Sequence, residues 1–261
     1  MENNCLNCGR PITDNFCSNC GQKKYKRIDK KYLVDEIQYS LIHTNKGFFY
    51  SVKNILLNPG KTAKDFIDGN RVNHYKPILL AFVLSGISAY ISYKVIGMNE
   101  IMEEHYTKEK IPKTFIHNYM TIISSYSSFM MLLLIPIVSL FTKLMFRKWG
   151  QNYYEHVIMN AYIQSCFTLF SIILLYPILY VLRSDGHNFI LATMCAMVLF
   201  PLLMIGFYKG FYKEKSIITI ALRVLLFTII VCITFIILMF IGFVIFFALN
   251  PEMIKEFQPP K

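Results

Sequence analysis

The chain has 261 residues, of which 54% are hydrophobic and only 16% are charged, and its formal net charge is +11. Soluble domains carry about 25% charged residues, so this composition excludes an ordinary soluble protein. The polar first residues predict that no cleavable signal peptide is present.

The first predicted element is a small cysteine module at the N-terminus. Its two Cys-x-x-Cys pairs, each followed by glycine, are typical of a closed tetrahedral zinc site. A segment this short has no core of its own, so a structural zinc ion would supply its folding energy. Two disulfides are the competing interpretation, which a reducing cytoplasm disfavours. The predicted zinc ligands are Cys5, Cys8, Cys17 and Cys20.

Short amphipathic helices are predicted between this module and the first apolar stretch. Apolar residues recur at helical spacing over 32–57, with a turn signal at 45–47. A further helix over about 59–68 is indicated by Asn58 as N-cap and Pro59 in the first helical position. Such helices either lie at the headgroup level as an interfacial collar or pack on the ends of the spans. The sequence leaves both arrangements open.

Five long apolar stretches without Asp or Glu follow, and each exceeds the length of about 20 residues that a membrane helix needs. Only helices and closed barrels satisfy their backbone groups in lipid. The predicted fold class is therefore an all-α integral membrane protein with five transmembrane helices, preceded by short amphipathic helices and a small N-terminal zinc ribbon. The predicted spans are 77–97, 118–146, 157–182, 188–208 and 217–249. The predicted domains are the ribbon (1–24), the basic linker and interfacial helices (25–75), the transmembrane domain (76–250) and a short tail (251–261).

The distribution of Lys and Arg predicts a cytoplasmic N-terminus and an outside C-terminus. With that orientation, 20 of the 27 basic residues lie on the cytoplasmic side and seven on the other. A count restricted to residues near the spans keeps the same sign. We therefore expect a multi-pass protein of the bacterial inner membrane, in contact with membrane lipids. The asymmetry also accounts for the pI of about 9.2, so no nucleic-acid partner is predicted.

Polar residues inside the spans form one notable pattern. His156, Asn160 and Gln164 follow one another at i, i+4 and i+8, on one face of the third predicted span. Intramembrane polar residues either mark a pathway for ions or solutes, or join helices through hydrogen bonds. We favour the second role for this possible intramembrane polar face.

Two stretches carry a resemblance to a known family: FCSNCGQK, and LIHTNKGFFYSVKNILLNPGKTAKDFIDGNRVNHYKPILL. They resemble an uncharacterised bacterial membrane-protein family, common in Bacteroidota, that contains a domain of unknown function. The similarity runs from the ribbon through the first span, with a weaker echo at 154–156 before the third. It implies an N-terminal zinc ribbon and several spans but no activity. More distantly, the layout of five spans is similar to that of Yip1-like proteins.

The function predicted from these features is non-enzymatic. The chain has no His-Glu-x-x-His pair, no Walker loop and no Gly-x-Ser-x-Gly motif. We expect the cytoplasmic zinc ribbon and the basic amphipathic collar to dock a protein partner or anionic lipid. The alternative is an uncoupled transporter or channel for a small solute, although its spans lack the acidic residue that ion-coupled transporters use. Assembly into a homo-oligomer stays open.

The charge asymmetry generates a prediction about topology. A fluorescent protein fused before Met1 should fluoresce, because it stays in the cytoplasm. Alkaline phosphatase inserted after Ser184 should be active, because the turn between the third and fourth spans lies outside. Phosphatase activity at the first residue, with no activity at the turn, would contradict the predicted orientation.

Overall fold

The computed structural model shows an all-helical chain. No β-strand is present in the residues that it describes, where two isolated β-bridges occur in the cysteine module. The predicted all-α class is therefore confirmed for this part of the chain. The tail and most of the first predicted amphipathic helix lie outside it. The described residues are 4–24, 27–32, 47–109 and 111–249.

Within the described ranges the helices follow one another with short connections. Two of them continue through π-helical turns, at 91–96 after α3 and at 171–175 between α6 and α7. The second π turn precedes Pro177, whose ring would clash with a regular helical turn before it. The helices are α1 (Phe48–Leu57), α2 (Pro59–Ile67), α3 (Pro77–Tyr90), α4 (Met98–Lys108), α5 (Lys113–Phe146), α6 (Tyr153–Phe170), α7 (Tyr176–Leu182), α8 (Gly186–Phe211) and α9 (Ile217–Leu249).

Five helical segments in the described part of the chain are long and apolar enough to cross a membrane. They support a multi-pass membrane protein, as predicted. The second and third begin a few residues before the predicted spans, because the helices continue into polar flanking turns. The segments are Pro77–Ile96, Lys113–Trp149, Tyr153–Leu182, Gly186–Phe211 and Ile217–Gly242.

The largest buried cluster lies where the short helix α2 meets α6 and α8. Phe66 of α2 contacts Tyr162 of α6 with ring centroids 5.9 Å apart. Phe207 and Tyr208 of α8 are buried in the same cluster, as is Ile158 of α6. The core of the protein is therefore concentrated at the end of the bundle that carries α2.

Helix α2 packs on the bundle as ordinary protein. The side chain of Asn58 accepts a hydrogen bond from the Lys61 amide at 3.0 Å, which confirms the predicted N-cap. Gly60 and Gly210 allow the backbones of α2 and α8 to approach closely. A Cβ atom at Gly60 would lie 2.7 Å from the amide nitrogen of Phe211 and would overlap the Phe207 carbonyl. Of the two arrangements left open by the sequence, α2 adopts the packed one.

Helix α1 divides its apolar residues between two faces. Ser51 and Ile55 are buried, and the Ser51 hydroxyl accepts a hydrogen bond from the Tyr75 amide at 2.7 Å. Phe49 and Leu57 point outward and are 83% and 73% exposed. Because Tyr75 lies just before the first candidate span, the apolar outer face of α1 is located near the entry of the chain into the bundle.

The close approach of α2 and α8 generates a stability prediction. Gly60→Ala should lower the free energy of unfolding by about 1–3 kcal/mol, the usual cost of overpacking. Gly206→Ala is the matched control. Gly206 lies on α8, the helix against which Gly60 packs, but a Cβ atom there would have no neighbour within 4 Å. Thermal unfolding of both variants in detergent measures the difference. Equal melting temperatures would contradict the close packing of α2.

Candidate metal centre

Four sulfur atoms come together in the cysteine module, residues 4–24. The Sγ atoms of Cys5 and Cys20 are 3.6 Å apart, and those of Cys8 and Cys17 are also 3.6 Å apart. All four lie within 4.8 Å of one another. Thiolates around a tetrahedral zinc ion, with Zn–S bonds of about 2.3 Å, would be separated by about 3.8 Å. The four cysteines could therefore hold a metal ion.

The backbone of the module repeats one turn twice. The Cys5 amide donates to the Arg10 carbonyl at 2.7 Å, and the Gly9 amide donates to the Cys5 carbonyl at 2.8 Å. Cys17 and Gly21 make the corresponding bonds in the second turn. Both glycines have a left-handed conformation, with φ of 75° and 71°, which explains why a glycine follows each Cys-x-x-Cys pair.

Hydrogen bonds in the module favour ionised sulfur at two positions. The Arg10 backbone amide, aided by the Asn19 side chain, lowers the pKa of Cys8 to about 6. The Asn7 side chain lowers the pKa of Cys20. Each asparagine thus lowers the pKa of a cysteine in the other turn, a role that the sequence analysis missed. The available signal was the asparagine directly before the second cysteine of both pairs.

The buried position of Cys5 has the opposite effect. Burial, together with hydrogen bonds to Cys20 and Cys8, raises the pKa of Cys5 to about 11. A thiol in this environment ionises readily only beside a cation, because a metal ion deprotonates the thiols that coordinate it. Ionisation of all four sulfurs would therefore require a cation at the centre of the cluster.

One buried side chain joins the cysteine module to the bundle. The carboxamide nitrogen of Gln22 donates to the Gly69 carbonyl, and its oxygen accepts from the amides of Arg71 at 3.2 Å and Val72 at 3.0 Å. These three groups belong to residues 69–73, which we call the docking loop, between α2 and α3. Gln22 is only 3% exposed. The backbone amide of Cys17 donates to its carbonyl at 2.7 Å, so the cysteine turn and the docking contact share this residue.

A second contact joins the two parts through asparagines. The Asn73 side-chain amide donates to the Asn7 side-chain oxygen at 2.9 Å. Because the Asn7 side chain also lowers the pKa of Cys20, it acts on both the sulfur cluster and the docking loop. The position of the module on the bundle and the geometry of the sulfurs are therefore connected.

The basic linker also lies against the bundle. Arg27 pairs with Glu155 at 3.1 Å and donates to the Gly150 carbonyl at 2.9 Å. Glu155 closes a capping box with Asn152 at the start of α6. The Asn152 side chain in turn donates to the carbonyl of the buried Ile28 at 2.9 Å. The described part of the linker is therefore fixed to the start of α6.

The predicted intramembrane polar residues lie on α6, where it packs against α5. Asn160 is buried and donates to the hydroxyls of Ser139 at 3.1 Å and Thr142 at 2.9 Å, both on α5. The His156 ring is fully buried beside it, and neither ring nitrogen has a hydrogen-bond partner among the described residues. Gln164 bonds to Thr168 at 3.3 Å, one turn later on α6. Asn160 therefore acts as a link between two helices.

The fold and the cysteine cluster define a multi-pass helical membrane protein with a candidate metal centre outside the spans. A family model described as "Protein of unknown function (DUF3667)" matches residues 45–89. The match covers α1, α2, the docking loop and most of α3, and it fits the resemblance to an uncharacterised family. No curated protein and no solved structure matches the chain.

The sulfur geometry generates a prediction about metal content. The purified protein should contain about one zinc ion per chain, and Cys17→Ser should lose it because three thiolates hold zinc much less tightly than four. Cys195→Ser, an exposed cysteine on α8, is the control and should keep the metal. Acid should release the zinc, because protons compete for the sulfurs. Elemental analysis decides, and equal metal content in both variants would contradict the site.

Proposed function

We propose that the chain is a non-enzymatic membrane protein whose zinc ribbon binds a cytoplasmic protein partner beside the membrane. The observation that carries this proposal is the attachment of the cysteine module to the docking loop through Gln22. A module fixed in this way presents its other surface at a defined place on the bundle. Binding surfaces gain affinity when they are rigid before the partner arrives.

The proposed metal is a structural zinc ion held by four thiolates. Four cysteine ligands complete a tetrahedron and leave no position for a substrate or a reactive water. In a reducing compartment the thiols remain available for the metal. The ion would therefore stabilise the binding surface without taking part in a reaction.

The cytoplasmic orientation is supported by the charges near the two ends of the bundle. Basic side chains stand at the end that carries α2: Lys61, Lys64, Arg71, Arg147, Lys148, Lys209, Lys213 and Lys215. At the other end the described acidic and basic residues nearly balance: Glu100, Glu103, Glu104, Glu109 and Asp185 against Lys94, Lys108, Lys113 and Arg183. Positively charged flanks favour the cytoplasmic side, so the cysteine module would lie there as well.

The proposed contact surface centres on two apolar side chains. Of the large aliphatic and aromatic residues in the cysteine module, Ile12 is buried, whereas Leu6 and Phe16 are 48% and 57% exposed. A module with so little core leaves most of this apolar surface exposed to solvent. Apolar and aromatic anchors of this kind contribute most of the binding energy at protein interfaces. A protein partner is therefore the occupant that we propose.

Helix α1 would add a contact with lipid. Its outer face carries Phe49 and Leu57, and it lies beside the start of the first candidate span. Apolar residues on a short amphipathic helix insert into the boundary between headgroups and acyl chains. In this proposal α1 forms the collar that the sequence predicts, while α2 belongs to the protein core.

The test uses the full-length protein in its native membrane. A photo-cross-linking amino acid at Phe16 should give a discrete product with a partner. Leu6→Ser should reduce the yield roughly five- to thirtyfold, the effect of losing an apolar anchor. Thr13→Ala is the matched control, because the hydrogen bond that the structure describes for its exposed hydroxyl goes to the neighbouring Asp14. It should leave the yield unchanged.

Gln22→Ala separates attachment from folding. It should still contain one zinc ion per chain, since the four sulfurs remain, although it holds the ion less tightly. It should weaken cross-linking because the module is no longer fixed to the docking loop. The proposal fails if the cross-linker at Phe16 gives no discrete product, or if Leu6→Ser and Thr13→Ala give the same yield.

A further inference from the structure

Two cations share one aromatic ring where α5 ends and α9 begins. The guanidinium carbon of Arg223 lies 4.8 Å from the centroid of the Trp149 ring, and the ammonium of Lys215 lies 5.7 Å from it. Tyr212 meets the same ring edge to face, with centroids 4.7 Å apart. We call Trp149, Lys215 and Arg223 the tryptophan site. Two positive charges therefore lie within 6 Å of the centre of one indole ring.

These cations have no carboxylate partner in the part of the chain that the structure describes. Neither lies within 4.0 Å of an acidic oxygen. Arg223 donates one hydrogen bond to the Met145 carbonyl, but its Nε atom is buried and has no hydrogen-bond partner among the described residues. A partly buried guanidinium without a counter-charge is costly. The charge of the site is therefore not neutralised by a carboxylate of the described residues.

Further positive charge surrounds the tryptophan site. Arg147 and Lys148 precede Trp149 in the same short turn, and Lys213 lies in the connection between α8 and α9; all three are exposed. Two carboxylates, Glu214 and Glu155, act on the neighbouring Tyr212. Glu214 is exposed to solvent, and Glu155 is already paired with Arg27. The local charge therefore stays positive, and it attracts anions to this end of the bundle.

The depth of Arg223 indicates which anion fits. It lies in the second turn of α9, inside the candidate span that begins at Ile217. Leu222 and Leu226 flank it and are 62% and 49% exposed, and Leu144 on α5 is 52% exposed. Cations and an indole thus stand directly beside an apolar surface of the kind that faces acyl chains.

We infer that the tryptophan site binds the phosphate group of an anionic phospholipid. The phosphate oxygens would accept hydrogen bonds from Arg223 and Lys215, while the acyl chains lie along the exposed leucines of α5 and α9. Basic pockets between transmembrane helices on the cytoplasmic side bind anionic headgroups by this combination. A soluble phosphate would use the cations but not the apolar surface, so the lipid is the ligand that we assign.

This inference rests on the proposed function only through orientation, since it assigns the lipid to the cytoplasmic leaflet. It requires neither zinc nor a protein partner. Lipid binding should therefore be the same in Cys17→Ser and in the wild-type chain. A failure of the lipid experiment can be distinguished in this way from a failure of the docking proposal.

The experiment measures lipid binding to the full-length, delipidated protein in non-ionic detergent by native mass spectrometry. The probes are phosphatidylglycerol, zwitterionic phosphatidylcholine and inorganic phosphate. The wild-type chain should retain phosphatidylglycerol preferentially. Arg223→Gln and Lys215→Gln should each weaken that binding by about fivefold, the typical contribution of one basic residue at an anionic surface.

Arg183→Gln is the matched control. Arg183 also stacks on an aromatic ring, with its guanidinium 4.2 Å from the Tyr180 centroid, but Glu104 and Asp185 line the pocket beside it. This variant should bind phosphatidylglycerol as the wild-type does. If Arg223→Gln fails to fold, Lys215→Gln still tests the site, because Lys215 is partly exposed.

Three outcomes would overturn the inference. The first is equal retention of phosphatidylglycerol and phosphatidylcholine. The second is an equal effect of the Lys215 and Arg183 substitutions. The third is displacement of the lipid by inorganic phosphate at comparable concentration, which would assign the site to a soluble anion.

Discussion

The carboxamide of Gln22 satisfies three backbone groups of the docking loop, and the position of the cysteine module depends on this contact. A module of this size has almost no apolar core, so its orientation cannot come from hydrophobic packing. Each intramolecular hydrogen bond contributes about 0.5–1.5 kcal/mol, and leaving a buried partner unsatisfied costs more. The same loop leads into α3, so the contact connects the cysteine module directly to the first span.

Local patterns in the sequence were sufficient to predict several parts of this structure. The spacing of the cysteines predicted the sulfur cluster, because a Cys-x-x-Cys pair followed by glycine is a complete local unit. Asn58 and Pro59 predicted the start of α2 for the same reason. The apolar stretches predicted all five candidate spans, although their ends differ by a few residues because polar flanking turns continue the helices. Each of these features is encoded by residues that are close together in the chain.

Contacts between distant residues could not be obtained in this way. Gln22 and the docking loop are far apart in sequence, as are Gly60 and Gly210, and neither pair has a local signature. The polar stretch between the first two spans contains α4, which the sequence analysis did not identify because its helix lacks a strong apolar face. The Trp149, Lys215 and Arg223 contacts likewise join residues from separate helices. Which polar groups meet is decided by the packing of the bundle.

Asn7 occupies a position with a thermodynamic consequence. Its side chain lowers the pKa of Cys20 and also accepts a hydrogen bond from Asn73 in the docking loop. Metal binding by the four sulfurs would therefore be coupled to attachment of the module, and such a coupling free energy acts equally in both directions. Attachment to the docking loop would then raise the affinity of the four thiolates for a metal ion. Metal binding would in turn strengthen the attachment beside the first candidate span.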